Sequence, residues 1–203
     1  MGRTLTHGSA TRGTLVTLLL ALLPLTARAQ PPRESEPSAM DDPFVRRGWH
    51  LELTGHAALE TWNYNISHEE MLAIIPGVTY GIGRGVVFKI GSPLYRVWQR
   101  GTDAYLFGVT WGVRSRVLRR ARWSLFWELE LGISESDTCV PPGGTRFNYQ
   151  VLGGGGATFR VRPGVHALAG VRWVHVSNNG LAGRHRNPDI EAVGPMMGVL
   201  VGF

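Results

Sequence analysis

Ser177, His175 and Glu191 supply the three residue types that ester cleavage commonly uses: a hydroxyl nucleophile, an imidazole base and a carboxylate. Side chains at i and i+2 of an extended chain share one face, about 7 Å apart at their bases, so His175 can reach the Ser177 hydroxyl. A carboxylate that orients the imidazole completes the logic of a catalytic triad. A metal is not expected: His50, His56, His68, His166 and His185 are dispersed, and Cys139 is the single cysteine, which excludes a disulfide framework and a multi-cysteine zinc site. No cofactor is expected either. Taken by type and spacing alone, these residues also fit the polar rim of a membrane strand, so the chemistry depends on the elements that hold them.

Those elements alternate with period two. From Ala121 the odd positions read Ala121, Trp123, Leu125, Trp127, Leu129, Leu131 and Ile133, against Arg122, Ser124, Phe126, Glu128, Glu130, Gly132 and Ser134. Tyr105, Phe107, Val109, Trp111 and Val113 repeat the pattern, as do Trp49, Leu51, Leu53, Ala57 and Leu59. Successive strand side chains point to opposite faces, so each segment has one apolar and one polar face. Eight segments follow, over 47–62, 72–83, 85–98, 103–118, 121–136, 146–161, 164–177 and 190–203. Tight turns alternate with longer loops, the pattern of an all-β, eight-stranded antiparallel outer-membrane β-barrel. A closed barrel bonds every backbone polar group internally, which lipid demands. A soluble lipocalin-like barrel, apolar inside and polar outside, has the same periodicity. Eight strands enclose room for side chains and not for a pore, so Arg114, Arg116, Glu128 and Glu130 are expected to form a core of ion pairs. The last strand ends in Phe203, and an aromatic C-terminal residue resembles the terminal signature of bacterial outer-membrane proteins.

In the seventh segment Ala167, Ala169, Val171, Trp173, His175 and Ser177 share one parity, and in the eighth the row Val193 to Phe203 extends back to Glu191. The three candidate residues therefore fall on the outward face, at one rim. Gly153-Gly154-Gly155-Gly156 lacks the lysine and helix of a phosphate loop and predicts strand bending, or room for an acyl chain against the wall.

Residues 1–29 hold Arg3, Arg12 and Arg28, no acid, an apolar run interrupted at Pro24, and the small-residue pattern Ala27-Arg28-Ala29; they predict a secretory signal peptide cut after Ala29. Residues 30–46, rich in Pro, Glu and Ser, predict a flexible periplasmic lead-in to a barrel over 47–203. The formal charge of +6 loses three arginines with the signal, leaving 18 basic against 15 acidic residues, a net +3. Nucleic-acid binding is not expected.

His175-Val176-Ser177-Asn178-Asn179-Gly180-Leu181, followed by Asn187-Pro188-Asp189-Ile190-Glu191, resembles the signature of the lipid A 3-O-deacylase (PagL) family of outer membranes. The resemblance implies an eight-stranded barrel that hydrolyses the ester-linked 3-hydroxyacyl chain at the 3-position of lipid A. It implies Ser177 as nucleophile, His175 as base and Glu191 as the residue orienting His175. Asn178, Asn187 and Gly180 would shape the site and its oxyanion hole, with the Asn178 amide or the backbone N–H groups of the Asn179-Gly180 turn as donors. Arg184 and Arg186, in the basic loop after the catalytic strand, are candidates for contacts to lipid A phosphates. Two departures stand out: the 182–186 loop is about two residues longer than usual, and Asp189 stands where Gly is usual. The partners implied are lipopolysaccharide as substrate, outer-membrane lipid, and the barrel-assembly machinery during biogenesis; a homodimer is left open. The competing readings are a non-enzymatic barrel, such as an adhesin or envelope-stabilising protein, and a phospholipid acyl hydrolase on the same scaffold.

Overall fold

The computed structural model describes residues 42–61 and 68–203. The signal peptide expected over 1–29, and residues 30–41 of the expected lead-in, lie outside the described residues. Strands form where the alternation places them: β1 (Trp49–Glu60), β2 (Glu70–Gly83), β3 (Val86–Gly91), β4 (Leu94–Trp98), β5 (Ala104–Arg119), β6 (Trp123–Val140), β7 (Thr145–Arg162), β8 (Val165–Ser177) and β9 (Ile190–Gly202). The single strand expected over 85–98 is interrupted between β3 and β4 at Ser92-Pro93. Proline has no N–H to give to a ladder, so the pairing breaks there. Both pieces lie between β2 and β5, so together they fill one of eight positions in the ring. All pairings are antiparallel, and β1 bonds to β2 on one side and to β9 on the other, which closes the ring without an edge.

The outward face is a belt of exposed apolar side chains, including Leu51 at 55%, Phe107 at 59% and Met197 at 68%. The inward face is polar, and its middle is an ion-pair cluster. Arg114 forks onto Glu52 at 2.7 and 2.9 Å and also donates to Glu128 at 2.8 and 3.0 Å. Lys89 Nζ donates to Glu128 at 2.9 Å and Glu130 at 2.7 Å, and Arg172 Nε donates to Glu128 at 3.1 Å. Three acids thus meet three bases with almost no solvent access, as the sequence predicts for a filled barrel. Buried charges are tolerated because each is paired and hydrogen-bonded. His50 and His56 are also inside.

Residues 42–46, expected as the end of a flexible lead-in, instead fold against the turn end of the barrel. Phe44 is 1% exposed, with its ring 6.4 Å from that of Phe126 and the Arg116 guanidinium 5.3 Å above it. Arg116 donates to both oxygens of Asp42 at 2.8 and 2.6 Å. Arg116 was expected in the central ion-pair core; the structure places it here, with Asp42. An aromatic ring and a paired carboxylate close the polar interior, and that explains why Pro- and Glu-rich composition misreads these five residues.

At the other end, β6 and β7 run on to Val140 and Thr145. The loop expected over 137–145 shrinks to 141–144, and the two strands stand above the rim as a hairpin. The pairing is irregular between Glu135 and Val140, where the strands leave the regular wall.

Candidate active site

β8 and β9 carry the site because their register sets His175 directly opposite Glu191. Val171 is exposed and Arg172, Val174 and Val176 are buried, so His175 belongs to the outward parity, as the alternation predicts. Ser177 is the last residue of β8 and only 6% exposed. Beyond it the chain turns sharply, with Asn179 at φ 54° and Gly180 at φ 74°, in the left-handed region that glycine and asparagine tolerate best.

The structure brings Ser177, His175 and Glu191 together. His175 Nε2 lies 2.8 Å from Ser177 Oγ, and His175 Nδ1 lies 2.7 Å from Glu191 Oε1. A carboxylate accepts only, so Nδ1 carries the proton and Nε2 offers its lone pair to the serine hydroxyl. Glu191 has two further supports that sequence reasoning missed. Trp173 Nε1 donates to Glu191 Oε2 at 2.6 Å, and the Thr61 backbone N–H and hydroxyl donate to the Glu191 carbonyl at 2.8 and 2.9 Å. Trp173 reads as one more member of the apolar row, yet it sits two residues before His175 on the same face. The i, i+2 rule that joins His175 to Ser177 also reaches it. Its ring lies 6.1 Å from that of His175 at an angle of 28°.

Asn178 and Gly180 are engaged with the loop that follows β8. The Asn178 amide donates to the Arg186 carbonyl, and its Oδ1 accepts the Gly180 N–H at 2.9 Å. One amide N–H of Asn178 and the Gly180 N–H are used by the loop after β8, which further backbone bonds from Leu181 to Asn178 and from Gly183 to Gly180 also hold. Asn178 therefore shapes the site by fixing this loop. Asn187 differs: its Oδ1 is buried with no hydrogen-bond partner. A half-turn of that amide presents N–H₂ in its place, so Asn187 can offer a donor at that position.

Arg184 lies in a short 3-10 turn, Arg184–Arg186, in the same loop. The Arg186 side chain is exposed and sends Nη2 to the Gly144 carbonyl at 3.4 Å, linking this loop to the β6–β7 hairpin. Asp189 stands beside the triad: donor atoms of His175, Asp189 and Glu191 all lie within 4.8 Å of one another. An ion held there would draw His175 Nδ1 and Glu191 away from each other, and the imidazole would lose the partner that fixes its tautomer for Ser177. The donor set thus competes with the triad. Glu60 lies at the same rim, across from Ala192. Burial, then the charges of Glu69 and Asp189, push its carboxyl up to about 7.

No family model and no curated protein matches the sequence. Among solved structures the fold is similar to Neisserial surface protein A, with TM-score 0.58 and 14% identity over 76% of this chain and 97% of that one. It is also similar to the outer membrane enzyme PagL, with TM-score 0.52 and 14% identity over 73% of this chain and 97% of that one. The chain has the eight-stranded outer-membrane barrel fold. At this identity the likeness extends to the fold alone.

Proposed function

We propose that this barrel is an outer-membrane esterase that removes the 3-hydroxyacyl chain ester-linked at the 3-position of lipid A, with the Ser177-His175-Glu191 relay as its catalytic residues. The observation that carries the reading is the relay itself, built on the outward face where an ester of the surrounding lipid would lie. The apolar belt is lipid-facing and the rim stands at the outer leaflet, which suits a substrate that never leaves the bilayer.

The reaction runs in two halves. His175 Nε2 takes the Ser177 proton as Oγ bonds to the ester carbonyl carbon. The tetrahedral intermediate collapses by breaking the bond to the sugar oxygen, which leaves with the proton from His175. Water, deprotonated by His175, then attacks the acyl-enzyme and releases a 3-hydroxy fatty acid with regeneration of the Ser177 hydroxyl. Glu191 stabilises the imidazolium in each half, and Trp173 holds Glu191 in place. The Asn187 amide and the second N–H of the Asn178 amide are the candidate oxyanion donors.

The wall beside the site suits an acyl chain. On β7 the outward Gly153 and Gly155 face Trp173 and Val171 on β8, and Leu129 and Trp127 on β6. Trp173 leans over Gly153, so the two residues without side chains leave a shallow trough whose open part lies at Gly155.

Expression in a Gram-negative host whose lipid A carries the 3-position ester, followed by lipid A mass spectrometry, tests the reading. The expected result is loss of one 3-hydroxyacyl chain, abolished by Ser177→Ala in a barrel that still assembles. An unchanged profile supports the non-enzymatic barrel, and loss of a phospholipid chain supports the phospholipid hydrolase.

A further inference from the structure

We infer that the turn end of the barrel, opposite the candidate active site, is a collar that binds the phosphates of anionic phospholipids in the periplasmic leaflet. This rests on the membrane placement proposed above, but not on the esterase activity.

The two ends of the barrel differ sharply in charge. At the turn end, Arg46 and Arg47 lie on the folded lead-in and Arg84 in the β2–β3 turn. Arg119, Arg120 and Arg122 surround the β5–β6 turn, and Arg160 and Arg162 precede the β7–β8 turn. All eight of these arginines are exposed. Asp42 is the one acidic side chain at this end among the described residues, and it is buried and engaged by Arg116, with Arg119 Nε at 3.7 Å. At the loop rim acidic residues outnumber basic ones among the described residues.

Three features point to lipid as the occupant. The arginines are spread over all three tight turns and the lead-in, so they encircle the barrel. Lipid headgroups ring a barrel wall at this height, so a ring of arginines meets them on every side. The arginines also interleave with outward apolar residues: Val161, 66% exposed, separates Arg160 from Arg162, and Trp123 follows Arg122. Guanidinium groups at that height extend from the edge of the belt to the headgroup level. Finally, a cleft of about 70 Å³ opens at the barrel mouth among Arg119, Arg120, Arg122 and Arg160, over the buried, inward-facing Ser124, Thr158 and His166 and the paired Asp42. Guanidinium forks around a small polar cleft match a phosphate oxygen set.

The test uses the full chain in bilayer discs of phosphatidylethanolamine with a minority of phosphatidylglycerol. After extraction, native mass spectrometry identifies the lipids that stay bound. The expected result is phosphatidylglycerol enriched about threefold or more over its share of the bilayer, the scale expected of several arginines at an anionic surface. Substituting Arg120→Gln, Arg122→Gln, Arg160→Gln and Arg162→Gln together should return it to the bulk share. The pair Arg120→Gln and Arg122→Gln alone should give an intermediate value, and covers the case of a misfolded quadruple variant. Covalent labelling of Ser177 by a fluorophosphonate should match the unsubstituted protein, because these residues lie at the far end. Bulk-level phosphatidylglycerol in the unsubstituted protein, or enrichment unchanged in the variants, overturns the proposal. So does enrichment abolished by millimolar inorganic phosphate, which would assign the collar to the free ion. Failure to insert into any bilayer removes the membrane reading and this proposal with it.

Discussion

Trp173→Phe isolates the least expected part of the site. The substitution keeps an aromatic ring beside His175 and removes the indole N–H that meets Glu191 Oε2 at 2.6 Å, together with part of the indole. A hydrogen bond to a charged group contributes about 1.5–3 kcal/mol. The Glu191 side chain is 20% exposed, so water can recover part of that, and a net loss of about 1–2 kcal/mol is a reasonable bound. If the lost restraint is felt mainly in the transition state, where Glu191 faces an imidazolium, turnover should fall roughly 5- to 30-fold. The assay compares lipid A deacylation with fluorophosphonate labelling of Ser177. Labelling needs the activated hydroxyl but no lipid, so both rates should fall by a similar factor while KM for lipid A stays within about twofold. Rates within twofold of the unsubstituted protein in both assays would refute the positioning role of Trp173. A fall in lipid A turnover alone would assign Trp173 to substrate binding.

Glu128→Gln should destabilise the barrel by about 3–5 kcal/mol, because it leaves Lys89, Arg114 and Arg172 short of a shared buried carboxylate; urea titration followed by heat-modifiable mobility measures it, and a loss below about 1 kcal/mol would contradict the central role of Glu128. Gly155→Ala places its Cβ 3.2 Å from the Phe126 carbonyl oxygen, clear of Trp173, and narrows the trough, so turnover of a long-chain ester should drop about tenfold while a soluble acetyl ester is cleaved within about twofold of normal. Glu60 is raised to about 7, so the folded state holds its proton more tightly than the unfolded one. Its contribution to stability is full below the unfolded pKa and is lost as pH rises through 7. Glu60→Gln should flatten the stability profile over that window, and an unchanged slope would count against the Glu60–Glu69 cluster as its source.

Much of this was legible because strand periodicity is unforgiving. A one-residue slip would turn His175 into the interior and Arg172 out toward lipid, so parity alone put His175, Ser177 and Glu191 on one face. The same parity put Glu128 and Arg114 inside, where neither could remain unpaired. What escaped the sequence involves contacts that periodicity does not encode. Trp173 counts as apolar by composition, and its single N–H matters only because the register brings Glu191 across from its neighbour. Asn178 has the donors an oxyanion hole wants, and a loop lacking regular ladder bonds claims one of its two amide N–H groups. Arg116 shares the inward parity of Arg114, yet its partner is a carboxylate from the lead-in. The 42–46 segment carries no period at all, and Phe44 finds its place only against a ring from β6.

Fluorophosphonate treatment of the purified, folded protein, followed by peptide mass mapping and lipid A turnover on the same sample, tests the proposed role of Ser177 most directly. One adduct on Ser177, absent in His175→Ala, with release of the 3-hydroxyacyl chain lost in proportion to labelling, is the predicted result. Continued deacylation with Ser177 fully modified, or an adduct confined to another residue, would contradict it.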